Sequence, residues 1–321
     1  MENIFSTEPF LPVLCSIFVT QITFEKTRDM EILDGKKAAA ALSTELKNEV
    51  DALVAKGERR PKLVAVLVGN NPASETYVRN KEKKCAELGF ISEIRRFDTA
   101  ITQEQLLAEI DNINNDPEID GVIVQLPLPK HVDEQRITHH IDPRKDVDGF
   151  HPVSLGRMLL GLPCYLPATP YGIIKLLAYY KIPTRGKHVV VLGRSHIVGL
   201  PVANMLLQKG EPGDCTVTVA HSKTQDLPSV LRSADILIAA VGIADFVKAD
   251  MVKEGAIVID VGINRVETTK NEKGWELRGD VAFDEVAPKC SYITPVPGGV
   301  GPMTILSLML NTLRARKGEV E

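Results

Sequence analysis

Lys187-His188-Val189-Val190-Val191-Leu192-Gly193-Arg194-Ser195-His196-Ile197-Val198-Gly199-Leu200-Pro201 decides the fold. An apolar run of strand length breaks at a glycine, and a helical pattern takes over from Val198 to Lys209. A strand that turns directly into a helix is where a Rossmann domain rests a pyrophosphate on helix N–H groups. The spacing is not GxGxxG, because Ser195 stands at the second glycine position and Gly199 falls one residue late. A purely structural turn would explain the same residues, so the loop needs support from its surroundings.

Outward from this loop the same alternation continues. Gly172–Tyr180 reads as a helix, and Thr216–Ala220, Asp235–Val241 and Ala256–Gly262 read as strands. Upstream, Lys37–Lys56 carries apolar residues at helical spacing. Leu63–Gly69 is a continuous apolar run suited to a buried parallel strand. A helix over Ser74–Leu88 stops at Gly89, as a C-cap glycine would make it. Ile91–Phe97, Gln103–Asn114 and Gly121–Leu126 then read as strand, helix and strand. The βαβα order predicts an α/β protein of two doubly wound domains.

Composition agrees with a globular chain: 321 residues, 44% hydrophobic and 25% charged, are ordinary for two domains. A formal net charge of −4 argues against a nucleic-acid-binding surface. Cys15, Cys85, Cys164, Cys215 and Cys290 are scattered without a CxxC pair, which reads as reduced thiols in a cytoplasmic protein. No metal site is expected: His139-His140 has no HExxH context and reads as the polar face of a short helix. Residues 1–29 differ from the rest. Their apolar run around Leu14–Val19 is too short to span a membrane, and Glu2 and Glu8 do not suit a secretory signal. They are expected to be a dispensable extension, with a weak targeting segment as the alternative.

The cofactor can be argued from the second strand of the later half. NAD-binding domains end that strand on a carboxylate that accepts from the ribose 2′-hydroxyl. Asp214 precedes the strand Thr216–Ala220, which runs instead into His221-Ser222-Lys223. Arg194 and Ser222, with Lys223 beside them, can hold a 2′-phosphate, so NADP is expected over NAD. The third strand ends as Asp260-Val261-Gly262-Ile263-Asn264-Arg265. Gly262 and Ile263 are expected along the nicotinamide side, while Asp260 could simply satisfy backbone groups.

In the earlier half, Tyr77 and Lys81 share one helix face. Lys81 lies among Arg79, Lys83 and Lys84, where a solvated surface lysine is the ordinary explanation. Gln125 holds a polar amide at the carboxyl edge of a buried strand, and Lys145-Asp146-Val147-Asp148-Gly149-Phe150 puts a carboxylate in a turn.

These pieces become specific together. Tyr77-x3-Lys81, Val124-Gln125-Leu126-Pro127-Leu128-Pro129, the Lys145–Phe150 turn, Gly193-Arg194-Ser195-x2-Val198-Gly199-x-Pro201 and Asp260–Asn264 occur in order. They are followed by Tyr292-Ile293-Thr294-Pro295-Val296-Pro297-Gly298-Gly299-Val300-Gly301-Pro302-Met303-Thr304, a rigid Gly/Pro loop that opens an apolar helix. Over about residues 30–316 the set resembles the bifunctional methylenetetrahydrofolate dehydrogenase/cyclohydrolase family.

The resemblance implies a folate-binding catalytic domain over 30–168 plus 298–321, a Rossmann-like NADP-binding domain over 169–297, and a cleft between them. It implies oxidation of 5,10-methylenetetrahydrofolate by NADP⁺, then hydrolysis to 10-formyltetrahydrofolate, within one-carbon metabolism and purine biosynthesis. Lys81 would move the proton in hydrolysis, Gln125 would orient it, Tyr77 would position the folate rings and Asp148 would bind the pterin donor edge. Gly193, Arg194, Ser195, Ser222 and Ile263 would hold the cofactor, and Pro297, Gly298, Gly299 and Val300 would border the folate. A homodimer is implied as well. Three alternatives stay open: a dehydrogenase without hydrolysis, an NADP-sensing regulator, and a shikimate-type dehydrogenase as a fold neighbour.

Overall fold

Apolar runs too short for helices and too continuous for surface strands become two parallel sheets. The structure, a computed structural model, describes residues 30–269, 271 and 273–320; the expected extension over 1–29 and Cys15 lie outside them. The elements follow in the order β1 (Glu31–Ile32), α1 (Gly35–Ala55), β2 (Lys62–Val68), α2 (Pro72–Leu88), β3 (Ile91–Phe97), α3 (Gln103–Asn115) and β4 (Gly121–Val124). Then come α4 (Glu134–Thr138), α5 (Pro152–Leu159), α6 (Ala168–Tyr179), β5 (His188–Leu192), α7 (Gly199–Leu207) and β6 (Thr216–Ala220). The rest are α8 (Leu227–Arg232), β7 (Ile236–Ala239), β8 (Ala256–Asp260), β9 (Asn264–Glu267), β10 (Trp275–Arg278), α9 (Phe283–Val286), β11 (Cys290–Ile293) and α10 (Val300–Arg316).

The smaller sheet has the order β3-β2-β4, and the larger has β1-β11-β8-β7-β5-β6. Every pairing in both is parallel. β2 has β3 on one side and β4 on the other, while β5 is flanked by β6 and β7. Each central strand is thus a switch point, where the connections leave in opposite directions and open a crevice at the carboxyl ends. β9 and β10 form a separate antiparallel hairpin.

Local signals explain the helix starts. Asp34 caps α1 by accepting from the backbone N–H groups of Lys36 at 2.8 Å and Lys37 at 3.0 Å. Thr102 and Gln105 form a reciprocal capping box on α3. β4, β7 and β8 are buried on both faces, which is why their sequences do not alternate. β1 was not foreseen. Its two residues pair with Tyr292 and Ile293, so the first described residues join the edge of the larger sheet.

α10 ties the parts together. It packs against α1, α2, α6 and β2. Cys85 Sγ lies 3.5 Å from Met309 Sδ, and Arg316 donates to the Arg59 carbonyl at 3.1 Å. Leu306, Met309 and Leu313 are buried in the core that α10 shares with α1 and α6. Met309→Ala should therefore destabilise the protein by roughly 2–5 kcal/mol in denaturant unfolding, and a loss below about 1 kcal/mol would show the helix to be loosely docked.

Candidate functional site

The two crevices meet at one cavity. A space of about 220 Å³ is lined by Lys81, Gln125, Asp146, Asp148 and Phe150 from the smaller sheet's side and by Ile197 from the loop after β5. α2 follows β2 and carries Lys81 to the carboxyl edge; Gln125 follows β4 directly and donates its backbone N–H to the Val66 carbonyl at 2.9 Å. Lys81 Nζ donates to Gln125 Oε1 at 3.3 Å, while Gln125 Nε2 donates to the Leu126 carbonyl at 2.8 Å. Since the amide NH2 is committed to Leu126, its oxygen is the face left for the ammonium. Tyr77 lies one turn earlier on α2 and is 45% exposed; it does not line this cavity.

The Asp148 turn is fixed from three sides. Val122 donates to the Lys145 carbonyl at 2.9 Å, Lys145 Nζ donates to the Ile113 carbonyl at 2.7 Å, and the Asp146 carboxylate accepts from the His151 N–H at 2.7 Å. From α10, Asn311 Nδ2 donates to the carbonyls of Val147 at 2.9 Å and Leu166 at 2.8 Å. Burial pushes the Asp148 carboxyl up, with the Lys81 ammonium opposing. Asp146 is pushed up to about 7, chiefly by burial and with backbone N–H groups working against it. Asp146 and Asn311 were not singled out from sequence. The first sat two residues before Asp148 in a quoted motif, and the second was one of several polar residues in a largely apolar helix.

The loop after β5 turns directly into α7. Gly193 has φ +125°, and a Cβ there would run into the Ala240 carbonyl. Ser195 Oγ accepts from the N–H of Val198 at 3.1 Å and caps the turn into α7. Arg194 and Ser195 are exposed. Leu192 pairs with Ala220, so Arg194 and the exposed Ser222 each stand two residues beyond neighbouring strand ends. Asp214 lies at the opposite end of β6, with φ 53°, an ion pair to Arg185 at 3.3 Å and a bond from Gly210 N–H. Asp260 does satisfy backbone groups: it accepts from Gly262, Asp280 and Val281 N–H, each at 2.9 Å, and burial pushes it up to about 6.

The glycine–proline loop abuts the start of the chain. Lys36 N–H donates to the Gly298 carbonyl at 3.2 Å, and a Cβ on Gly35 would overlap the Gly299 carbonyl. Ile263 Cδ1 lies 4.0 Å from where a Cβ on Gly301 would stand, so the β8 loop and the start of α10 are neighbours. Pro297–Val300 do not line the cavity with Lys81. His139 and His140 follow α4, the latter bonded to Asp111 at 2.7 Å, and no cluster suited to a metal ion occurs among the described residues.

Comparison with known proteins gives two family matches. Residues 33–148 match the tetrahydrofolate dehydrogenase/cyclohydrolase catalytic domain, and 167–320 match the NAD(P)-binding domain of the same family. The bifunctional protein FolD of Porphyromonas gingivalis is 58% identical over 288 residues, covering 90% of this chain and 97% of that protein. The crystal structure of the bifunctional FolD enzyme from Campylobacter jejuni is 48% identical with a TM-score of 0.84, covering 91% of this chain and all (100%) of that one. A Trypanosoma brucei FolD structure, complexed with NADP cofactor and inhibitor, is 38% identical with a TM-score of 0.85, covering 90% and 98%.

The Asp146 environment has a measurable consequence. In the unfolded chain its carboxyl loses its proton near pH 4, but in the folded protein only near 7, so folding binds a proton between those values. Stability contributed by this group is therefore lost as pH rises through that window. Urea midpoints at pH 5 and pH 7 should differ less for Asp146→Asn than for the parent, and equal differences would contradict the assignment.

Proposed function

The chain belongs to the tetrahydrofolate dehydrogenase/cyclohydrolase family, and we propose that one cleft oxidises 5,10-methylenetetrahydrofolate and hydrolyses the product to 10-formyltetrahydrofolate. The observation that carries this is the Lys81–Gln125 pair, held in a cavity to which the dinucleotide loop contributes Ile197. We divide the chain into a folate-binding unit over 30–168 plus 298–321 and a dinucleotide unit over 169–297. α10 packs on α1, α2 and β2 of the first unit and also on α6 of the second, and Glu31–Ile32 join the second unit's sheet, so the boundary between the units is crossed at both chain ends.

NADP⁺, when bound, accepts the hydride. The chain's part is to place it: Gly193 lets the loop after β5 pack against the Ala240 carbonyl, and α7 offers its N-terminus to the pyrophosphate. Arg194 and Ser222 bracket the 2′-phosphate, and the absence of a carboxylate among residues 221–224 favours NADP over NAD. Asp148 accepts from the donor edge of the pterin, while Tyr77 and the Pro297–Val300 backbone border the folate. In the hydrolytic step water adds to the methenyl carbon, and the unprotonated amine form of Lys81 takes its proton. The bond from that carbon to the ring nitrogen then breaks, the nitrogen receives the proton from Lys81, and the hydroxyl proton is released to solvent as the formyl C=O forms. Gln125 Oε1 keeps Nζ aimed at that carbon's surroundings. The product serves one-carbon transfer, including purine ring formation.

We further read the protein as a cytoplasmic homodimer. Cys85, Cys164, Cys215 and Cys290 are all free and buried, which supports a reducing compartment. No helix of the described residues is long and apolar enough to cross a membrane.

Lys81→Met should reduce hydrolysis of added methenyltetrahydrofolate by on the order of 10²–10⁴-fold and leave NADP affinity nearly unchanged. Preserved hydrolysis with lost NADP affinity would refute its role. Arg194→Ala should weaken NADP binding by roughly 10- to 100-fold and NAD binding far less, as loss of a charge-assisted bond requires. Titration of both nucleotides checks this, and equal weakening would count against the 2′-phosphate contact.

A further inference from the structure

Asp280 is fully buried, at 0% exposure, and among the described residues it forms no ion pair with a Lys, Arg or His side chain. Its carboxylate is instead filled by donors from two loops. Oδ2 accepts from the N–H groups of Val241 at 2.6 Å and Gly242 at 2.9 Å. Oδ1 accepts from Ile243 N–H at 3.0 Å and from Asn264 Nδ2 at 2.9 Å. Three consecutive backbone donors on one carboxylate bend the chain after β7 into a tight concave turn. The fourth bond ties that turn to the segment after β8.

Asp280 is itself suspended. Its own N–H and that of Val281 donate to the two oxygens of Asp260, both at 2.9 Å, and Gly262 N–H donates to the same carboxylate at 2.9 Å. Thr294 Oγ1 accepts from Asp260 N–H at 2.7 Å. The result is one buried scaffold under the carboxyl ends of β7 and β8.

What the scaffold presents outward is apolar. Ile197, Ile243 and Ile263 are 45%, 53% and 48% exposed, and they lie on the loops after β5, β8's neighbour β7, and β8. Exposed isoleucines singly need no explanation. Three at one sheet edge, above a buried carboxylate that fixes two of their loops, have the composition of a wall for a flat ring. We propose that Asp280 is a positioning residue for the dehydrogenase step. It sets the Ile243 and Ile263 loops so that the nicotinamide half of the dinucleotide lies against them. The inference rests on the dinucleotide reading of this sheet edge given above.

Asp280→Asn keeps the shape but turns an NH2 group towards backbone donors, so at least one pair of bonds is lost. The two activities serve as an internal control, because hydrolysis of added methenyltetrahydrofolate requires no nucleotide. In Asp280→Asn the KM for NADP⁺ should rise about tenfold or more, as loss of buried charge-assisted bonds implies, with hydrolysis within about twofold of the parent. Unchanged KM, or a parallel fall of both activities in folded protein, would overturn the proposal. Should Asp280→Asn not fold, Asn264→Ala removes one bond and leaves the carboxylate. It should raise the KM for NADP⁺ roughly three- to tenfold, again sparing hydrolysis, and an unchanged KM would overturn the proposal. A parent protein that reduces neither nucleotide would instead overturn the functional reading on which this rests.

Discussion

The docking of α10 is the constraint on which the rest depends. Two parallel sheets each open a crevice at their carboxyl ends, but nothing in a sheet dictates that two crevices face one space. α10 supplies that relation. At its start Gly301 lies beside Ile263 of the larger sheet, and in its middle Asn311 holds the Val147 carbonyl next to Asp148. Met309 and Leu313 bury the same helix against the core below β2. A single helix of 17 residues thus fixes the Asp148 carboxylate relative to the carboxyl edge of the larger sheet.

A second theme is how the molecule keeps carboxylates in its interior. Asp146, Asp260 and Asp280 are nearly or wholly buried. Asp260 and Asp280 are met by backbone N–H groups from loops at the carboxyl edge, and Asp146 by the N–H of His151. Buried acceptors without such donors would be costly, so each loop is held to the conformation that supplies them. The outcome is a site whose irregular segments are braced without metal-like clusters among the described residues.

Much of this was legible in sequence, for physical reasons that differ by element. Continuous apolar runs gave β2, β5 and β8 to within a residue or two, since strands buried on both faces cannot be read as anything polar. Gly89 marked a helix end that depends on local chemistry alone. β1, β9, β10 and β11 were not legible, all being two to four residues long. β1 and β11 pair with distant chain, and β9 and β10 form a short hairpin without an apolar run. Among site residues, Lys81, Gln125 and Asp148 could be named because they recur in ordered motifs, and the structure brings them to one cavity. Asp280 carried no such signal. A lone aspartate after a charged hairpin looks like surface until the loops that donate to it are folded around it.

The central claim is that oxidation and hydrolysis share one cleft. The most direct measurement mixes purified protein with 5,10-methylenetetrahydrofolate and NADP⁺, and follows reduced cofactor and methenyltetrahydrofolate in the same time course. Reduced cofactor should accumulate while the methenyl species stays far below it, and NAD⁺ should be the poorer acceptor. Stoichiometric build-up of methenyltetrahydrofolate, or no reduction with either nucleotide, would contradict the account.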